Sequence, residues 1–217
     1  MSPSELVPTD PGEPKQVPWS RSMQFGIGML LAGAIGSLVA WLIWSTPGSV
    51  SALFDFNLGN LTSFVVNGTL PGSQSGLASS RGAIGVLLAV VVLAIVVATR
   101  FTANRRNLLL GCACGLALAS IGLVVNAYTA LRNTLDATKA LDDAAGRIVA
   151  ATASLPSVPL LGSVSDAIAG RVHHARQHVI DHSVVPAVVA LVAGGIALIG
   201  AVLLLIGSLR PKAPTET

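Results

Sequence analysis

Residues 108–154 read LLLGCACGLALASIGLVVNAYTALRNTLDATKALDDAAGRIVAATAS, two patterns joined without a break. From Leu108 to Tyr128 no residue is charged, and the run is long enough to cross about 30 Å of hydrocarbon at about 1.5 Å per residue. After Tyr128 the pattern turns amphipathic. Leu131, Leu135, Thr138, Leu141, Ala145, Ile148 and Val149 share one helical face, and Arg132, Asp136, Lys139, Asp143 and Arg147 share the other. Opposite charges at i, i+4 in Arg132/Asp136, Lys139/Asp143 and Asp143/Arg147 favour the same helix. A single helix is therefore expected to leave the membrane and continue beyond it to about Ser154.

Leu155-Pro156-Ser157-Val158-Pro159 and Gly162 supply the turn that follows, because two prolines and a glycine do not continue a helix. From Ser163 a second helix is expected to return, with Ser163 or Ser165 as N-cap, Asp166 in its first turn and an apolar stripe of Val164, Ile168, Val172, Ala175 and Val179. Two amphipathic helices on a short turn bury their stripes against each other. Residues 129–183 thus read as an antiparallel helical hairpin standing outside the membrane.

Three further charge-free runs lie outward from this stretch. The resulting fold class is an all-α integral membrane protein with spans at 23–46, 82–99, 108–128 and 184–209, the third and fourth extended as the hairpin. Pro186 is placed in the first turn of the fourth span, where a missing N–H costs nothing. The first span is too long for a signal-peptide core, and Ser45-Thr46-Pro47 makes a poor cleavage site. Residues 1–22, with Pro3, Pro8, Pro11, Pro14 and Pro18, read as a disordered tail.

Positive charge orients the chain. Lys15 and Arg21 precede span one, Arg100, Arg105 and Arg106 lie in the 100–107 connection, and Arg210 and Lys212 lie in the 210–217 tail. These sites belong to the cytoplasmic side, which puts both termini inside and leaves the 47–81 loop and the hairpin outside. Trp41, Trp44 and Tyr128 fall near span ends, as an aromatic belt would place them.

Hydrophobic residues make up 52% of the chain and charged residues 11%, against about a quarter charged in soluble domains. No basic, aromatic-interleaved patch points to nucleic acid. Arg well in excess of Lys, with abundant Ala, Gly and Val, points to a high-GC bacterium and so to its inner (plasma) membrane. Cys112 and Cys114 diverge by about 200° on one helix and cannot bridge each other.

The spans carry no Asp, Glu, Lys, Arg or His, which argues against proton relays and ion-coupled transport. No Gly-x-Ser-x-Gly elbow or Gly-rich phosphate loop occurs, so the chain reads as non-catalytic. Asn126, near the end of the third span, is expected to hydrogen-bond between helices. Small residues recur four apart at Gly28, Ala32 and Gly36, at Gly111 and Gly115, and at Ala193, Ala197 and Ala201, marking faces for close packing between spans or with a partner subunit. Phe54, Phe56 and Phe64 make the first outer loop unusually apolar, suited to packing on the hairpin, lying among headgroups or meeting a partner.

All the histidines lie between 173 and 182, and His174, His178 and His182 follow at i, i+4 and i+8. Such a row is a polar flank, a ligand pair for Zn or Cu with Asp181 or Asp55 as further donors, or a contact that charges on acidification. The layout is similar to that of tetraspanins, but their Cys-Cys-Gly motif and loop cysteines are missing, as are the tryptophan and cysteine marks of claudins. The leading expectation is a non-catalytic scaffold or accessory subunit that binds the lipid bilayer and presents the hairpin to another membrane or envelope protein. A metal- or pH-responsive module and a pore or holin-like oligomer are the alternatives.

Overall fold

A computed structural model describes residues 21–48, 70–102, 106–153 and 159–209, and about 92% of it is helical. Helix α1 spans Arg21–Ile43, α2 Ser80–Thr102, α3 Arg106–Ala153, α4 Pro159–Val179 and α5 Val185–Leu209. Ile180–Val184 form a π turn between α4 and α5, so 159–209 is one continuous helical rod. Four stretches, Arg21–Ile43, Ser80–Thr99, Asn107–Arg147 and Ala169–Leu209, are long and apolar enough to cross a membrane. The first-loop residues Phe54, Phe56 and Phe64, the proline-rich start of the chain and the turn at 154–158 lie outside the described residues.

Within the apolar stretches almost any side chain could face inward, so burial has to be decided by fit. The pattern that results is a step of three alternating with a step of four. On α3 it runs Leu109, Ala113, Leu116, Ser120, Leu123, Ala127, Ala130 and Thr134, and resumes at Leu141 and Ala144, all buried. On α1 it runs Ile27, Leu30, Ala34, Ser37 and Trp41, with Trp44 just past its end, and α5 repeats it from Ala187 through Ala190, Gly194, Ala197, Ala201 and Leu204 to Ser208. On α2 it runs Gly82, Gly85, Ala89, Val92, Val96 and Thr99. This 3.5-residue period keeps one seam of each helix facing its neighbours when the helices supercoil to the left, the geometry of four-helix bundles. The bundle is a closed ring: α1 packs on α2 and α5, and α3 packs on α2 and α5.

The seams are lined with small residues, and the closest approach is between α1 and α5. A Cβ added to Gly33 would lie 2.5 Å from the Ala193 carbonyl oxygen and 2.6 Å from the Ala197 nitrogen. Gly26 and Gly200 meet in the same way, an added Cβ on Gly200 lying 2.6 Å from the Gly26 carbonyl oxygen. Backbone cannot move aside as a side chain can, so only glycine fits at these points. Of the glycines singled out from the sequence, Gly28 and Gly111 open onto free space, Gly36 lies near the Ala193 methyl and Gly115 near Ile95.

Three layers stack along the bundle. The first holds Leu30, Ala89, Val92, Leu116, Leu123 and Leu204. In the second, Trp41 and Trp44 pack edge to face, with ring centroids 5.3 Å apart, against Ala127, Ala130, Ala187 and Ala190. Both indoles are therefore core residues rather than belt residues, and Gly85 clears room for the Trp41 ring. The third layer joins Leu141 on α3 to Val172, Ala175 and Val179 on α4, with Leu70 closing it.

Three sequence expectations need correction here. The buried face of α3 beyond Tyr128 carries Ala130, Thr134, Leu141 and Ala144, whereas Leu135 is 43% exposed. The register inherited from the apolar half of the helix wins over the size of the side chain, and Thr134 is accommodated because its hydroxyl donates to the Ala130 carbonyl at 2.6 Å. The return helix starts at Pro159 rather than Ser163, because proline's fixed φ suits a first helical position. The i, i+4 ion pairs on α3 do not close; the ion pair found among the described residues crosses helices, Asp142 to Arg176 at 3.0 Å.

Replacing Gly33 by Ala should destabilise the bundle by about 1–3 kcal/mol through overpacking, and Gly28→Ala should change little. Thermal unfolding of the two variants in detergent checks this; equal melting temperatures would contradict the packing described.

Candidate functional site

The site grows out of one missing hydrogen atom. Because the helix does not stop before the fourth apolar stretch, Pro186 sits inside a continuous rod rather than in a first turn, correcting the sequence expectation. Proline has no N–H to give the carbonyl four residues earlier, that of His182, and its ring crowds that carbonyl, at a cost of about 3 kcal/mol in a regular helix. The chain answers in two ways. It widens the turn, with the Val185 N–H reaching back to the Ile180 carbonyl. It also supplies an outside donor, the Ser45 hydroxyl, 3.2 Å from the His182 carbonyl oxygen.

Ser45 is held where it can do this. One residue, Trp44, separates it from the end of α1, and it forms, with Thr46, a two-residue strand paired antiparallel to Gln74–Ser75. The Gln74 N–H donates to the Thr46 hydroxyl at 2.9 Å. The π turn rotates Ser183 inward, where it is buried with its Oγ 3.5 Å from that of Ser45, and leaves His182 exposed. A shallow, open cleft results, walled by Ser45, Gly48, Leu70, Ser73, His178 and Ser183.

A second polar tie fixes the start of α2 at the same end of the bundle. Asn126 Nδ2 donates to the Arg81 carbonyl at 3.0 Å, which is the helix-to-helix bond expected of it. Arg81 Nη1 donates to the Thr129 carbonyl at 3.2 Å, and the Asn133 amide, oriented by its partners, accepts from Arg81 at 2.7 and 3.1 Å. Both Nη groups of this half-buried guanidinium donate to α3, so the arginine acts as a bracket between helices.

The histidines lie along the rim. His173, His174 and His182 are exposed and His178 is half-buried. The structure brings His178 and His182 into edge-to-face contact with ring centroids 4.3 Å apart. His182 Nδ1 lies 3.3 Å from the His178 carbonyl oxygen, and Gln177 donates to the Asp181 carboxylate at 3.0 Å. Among the described residues no group of three or more His, Cys, Asp or Glu side chains converges as a ligand set. Asp55 is not among them.

Sequence reasoning missed Ser45 and Arg81. A signal existed for the first: a proline inside an apolar run frees the carbonyl four residues back, and a hydroxyl must then be sought elsewhere. The chain matches no protein-family model, no curated protein and no solved structure.

Ser45→Ala should cost about 0.5–1.5 kcal/mol of stability by leaving the His182 carbonyl unpaired. In a Pro186→Ala background, where the helix regains its own donor, the same change should cost less; a double-mutant cycle on detergent unfolding reads the coupling. Additive effects would break the link drawn between these residues.

Proposed function

We propose that this chain is a non-catalytic bacterial membrane scaffold or accessory subunit, its four apolar helices set in the inner membrane with both termini cytoplasmic. The far half of α3 and the packed α4 form an extracytoplasmic helical hairpin presented to an envelope protein partner. One observation carries the reading. The 48 residues of α3 form one helix, and 48 × 1.5 Å is about 72 Å, more than twice the roughly 30 Å of hydrocarbon. A helix of that length, buried along one seam well past its charge-free half, holds a surface at a fixed distance and angle from the bilayer.

The far part supports presentation rather than chemistry. Leu141, Val172, Ala175 and Val179 close its inner side, while Lys139, Asp143, Arg171, His173 and His174 are exposed on the outside. Arg100, Arg105 and Arg106 within the short 100–107 connection support the orientation, the five Lys and Arg of 129–183 being balanced by five Asp, and the composition supports a bacterial source.

Two measurements test the reading. With Cys112 and Cys114 replaced by serine, Lys139→Cys and Arg171→Cys should react with a membrane-impermeant maleimide added outside intact cells, and Asn107→Cys should not. A photo-crosslinking residue at position 171 or 173 should give a discrete, stoichiometric adduct in native membranes. Recovery of uncrosslinked protein alone from both positions would remove the partner-presenting role.

A further inference from the structure

We propose that His178 and His182 form an open, two-imidazole site for a divalent transition ion, with Cu(II) the preferred occupant. Separation is the first requirement. Two nitrogens on one ion, each bonded at about 2.0–2.1 Å, must come within about 4 Å of each other. With ring centroids 4.3 Å apart, His178 and His182 are close enough for one ring nitrogen of each to reach a shared ion.

Tautomer is the second step. A carbonyl oxygen only accepts, so His182 Nδ1, 3.3 Å from the His178 carbonyl, carries the proton and leaves the lone pair on Nε2. Metal-bound imidazoles are held in this way, one ring nitrogen donating to a carbonyl or carboxylate while the other ligates. The backbone beneath is fixed as well, because the His182 carbonyl is held by Ser45 and the turn is closed by the bond from Val185 to Ile180.

Charge is the third. The nearest cation on the same helix, Arg176, is paired with Asp142 at 3.0 Å, and Asp181, next to His182 in the chain, accepts from Gln177 at 3.0 Å. Among the described residues, no Lys or Arg lines the cleft wall beside His178. The site lies at the rim of the cleft, where water completes the coordination. Cu(II) heads the divalent series for nitrogen ligands, which sets the expected preference.

The test is titration of the full-length, untagged chain in nanodiscs with Cu(II), followed by calorimetry and electron paramagnetic resonance. The expected result is one ion at micromolar affinity with hyperfine coupling to two imidazole nitrogens. His178→Ala and His182→Ala should each weaken binding by roughly tenfold or more, since losing a ligand costs at least as much as losing its orienting partner. His173→Ala should leave affinity unchanged, and circular dichroism on every variant verifies the helices. Absence of micromolar binding, a spectrum without nitrogen coupling, or equal loss in the His173 and His178 variants would each overturn the site.

Discussion

The buried seam of α3 advances by four and three residues from Leu109 to Thr134 and picks up again at Leu141 and Ala144, and the other helices take their positions from it. A 3.5-residue period persists along a helix of about 3.6 residues per turn only if the helix coils around something. In the first two layers α3 packs against α2 and α5, and in the third against α4. The seam therefore does not end where the charge-free stretch ends at Tyr128. Continuity of that seam is what lets an apolar bundle and a charged extension share one axis.

Close approach of α1 and α5 is the second condition, and it is met by glycine. Gly26, Gly33 and Gly200 place backbone against backbone, so the two helices gain dispersion contacts that larger side chains would forbid. Fixing α1 against α5 also fixes where the chain emerges after Ile43. Ser45 thereby arrives at the one carbonyl that Pro186 leaves without a donor. A packing feature in the first layer thus decides whether a hydrogen bond well above it can form.

The existence of the apolar helices was legible from sequence because absence of charge over some twenty residues has few other readings. Which face each helix buries was not. A helix that is apolar all round offers no moment to read, so Gly28 and Gly26 look alike in sequence although one opens to free space and the other touches α5. The same blindness put Trp41 and Trp44 in a belt when they fill the core. Beyond Tyr128 the moment returns, yet large residues misled: Leu135 was assigned inward, while the inherited register buries Thr134. At Pro186 the error lay in assuming a break between helices. Nothing in Ile180–Val184 stops a helix, so the rod continued and the proline became a problem solved by a third element. Of the histidine row, the i, i+4 spacing is legible and yields the His178–His182 contact, whereas the π turn that turns Ser183 inward and His182 outward is marked only indirectly, by Pro186.

Relative magnitudes show what holds α4 to the rest. The Asp142–Arg176 pair is well exposed, its side chains 56% and 41% accessible, and surface pairs contribute about 0–1 kcal/mol. Full burial of one large aliphatic side chain contributes about 1.5–3 kcal/mol, and the third layer holds Leu70, Leu141, Val172 and Val179 together. Apolar contact therefore sets the position of α4, and the ion pair only trims it. Leu70 matters most in this balance because it comes from neither α3 nor α4: it leads into the strand that holds Ser45, so the layer that seats α4 and the bond that repairs the Pro186 break are two ends of one short segment. The rim histidines sit directly over that junction, so any ion or partner that engages them acts on the place where α4, α5 and the end of α1 are joined.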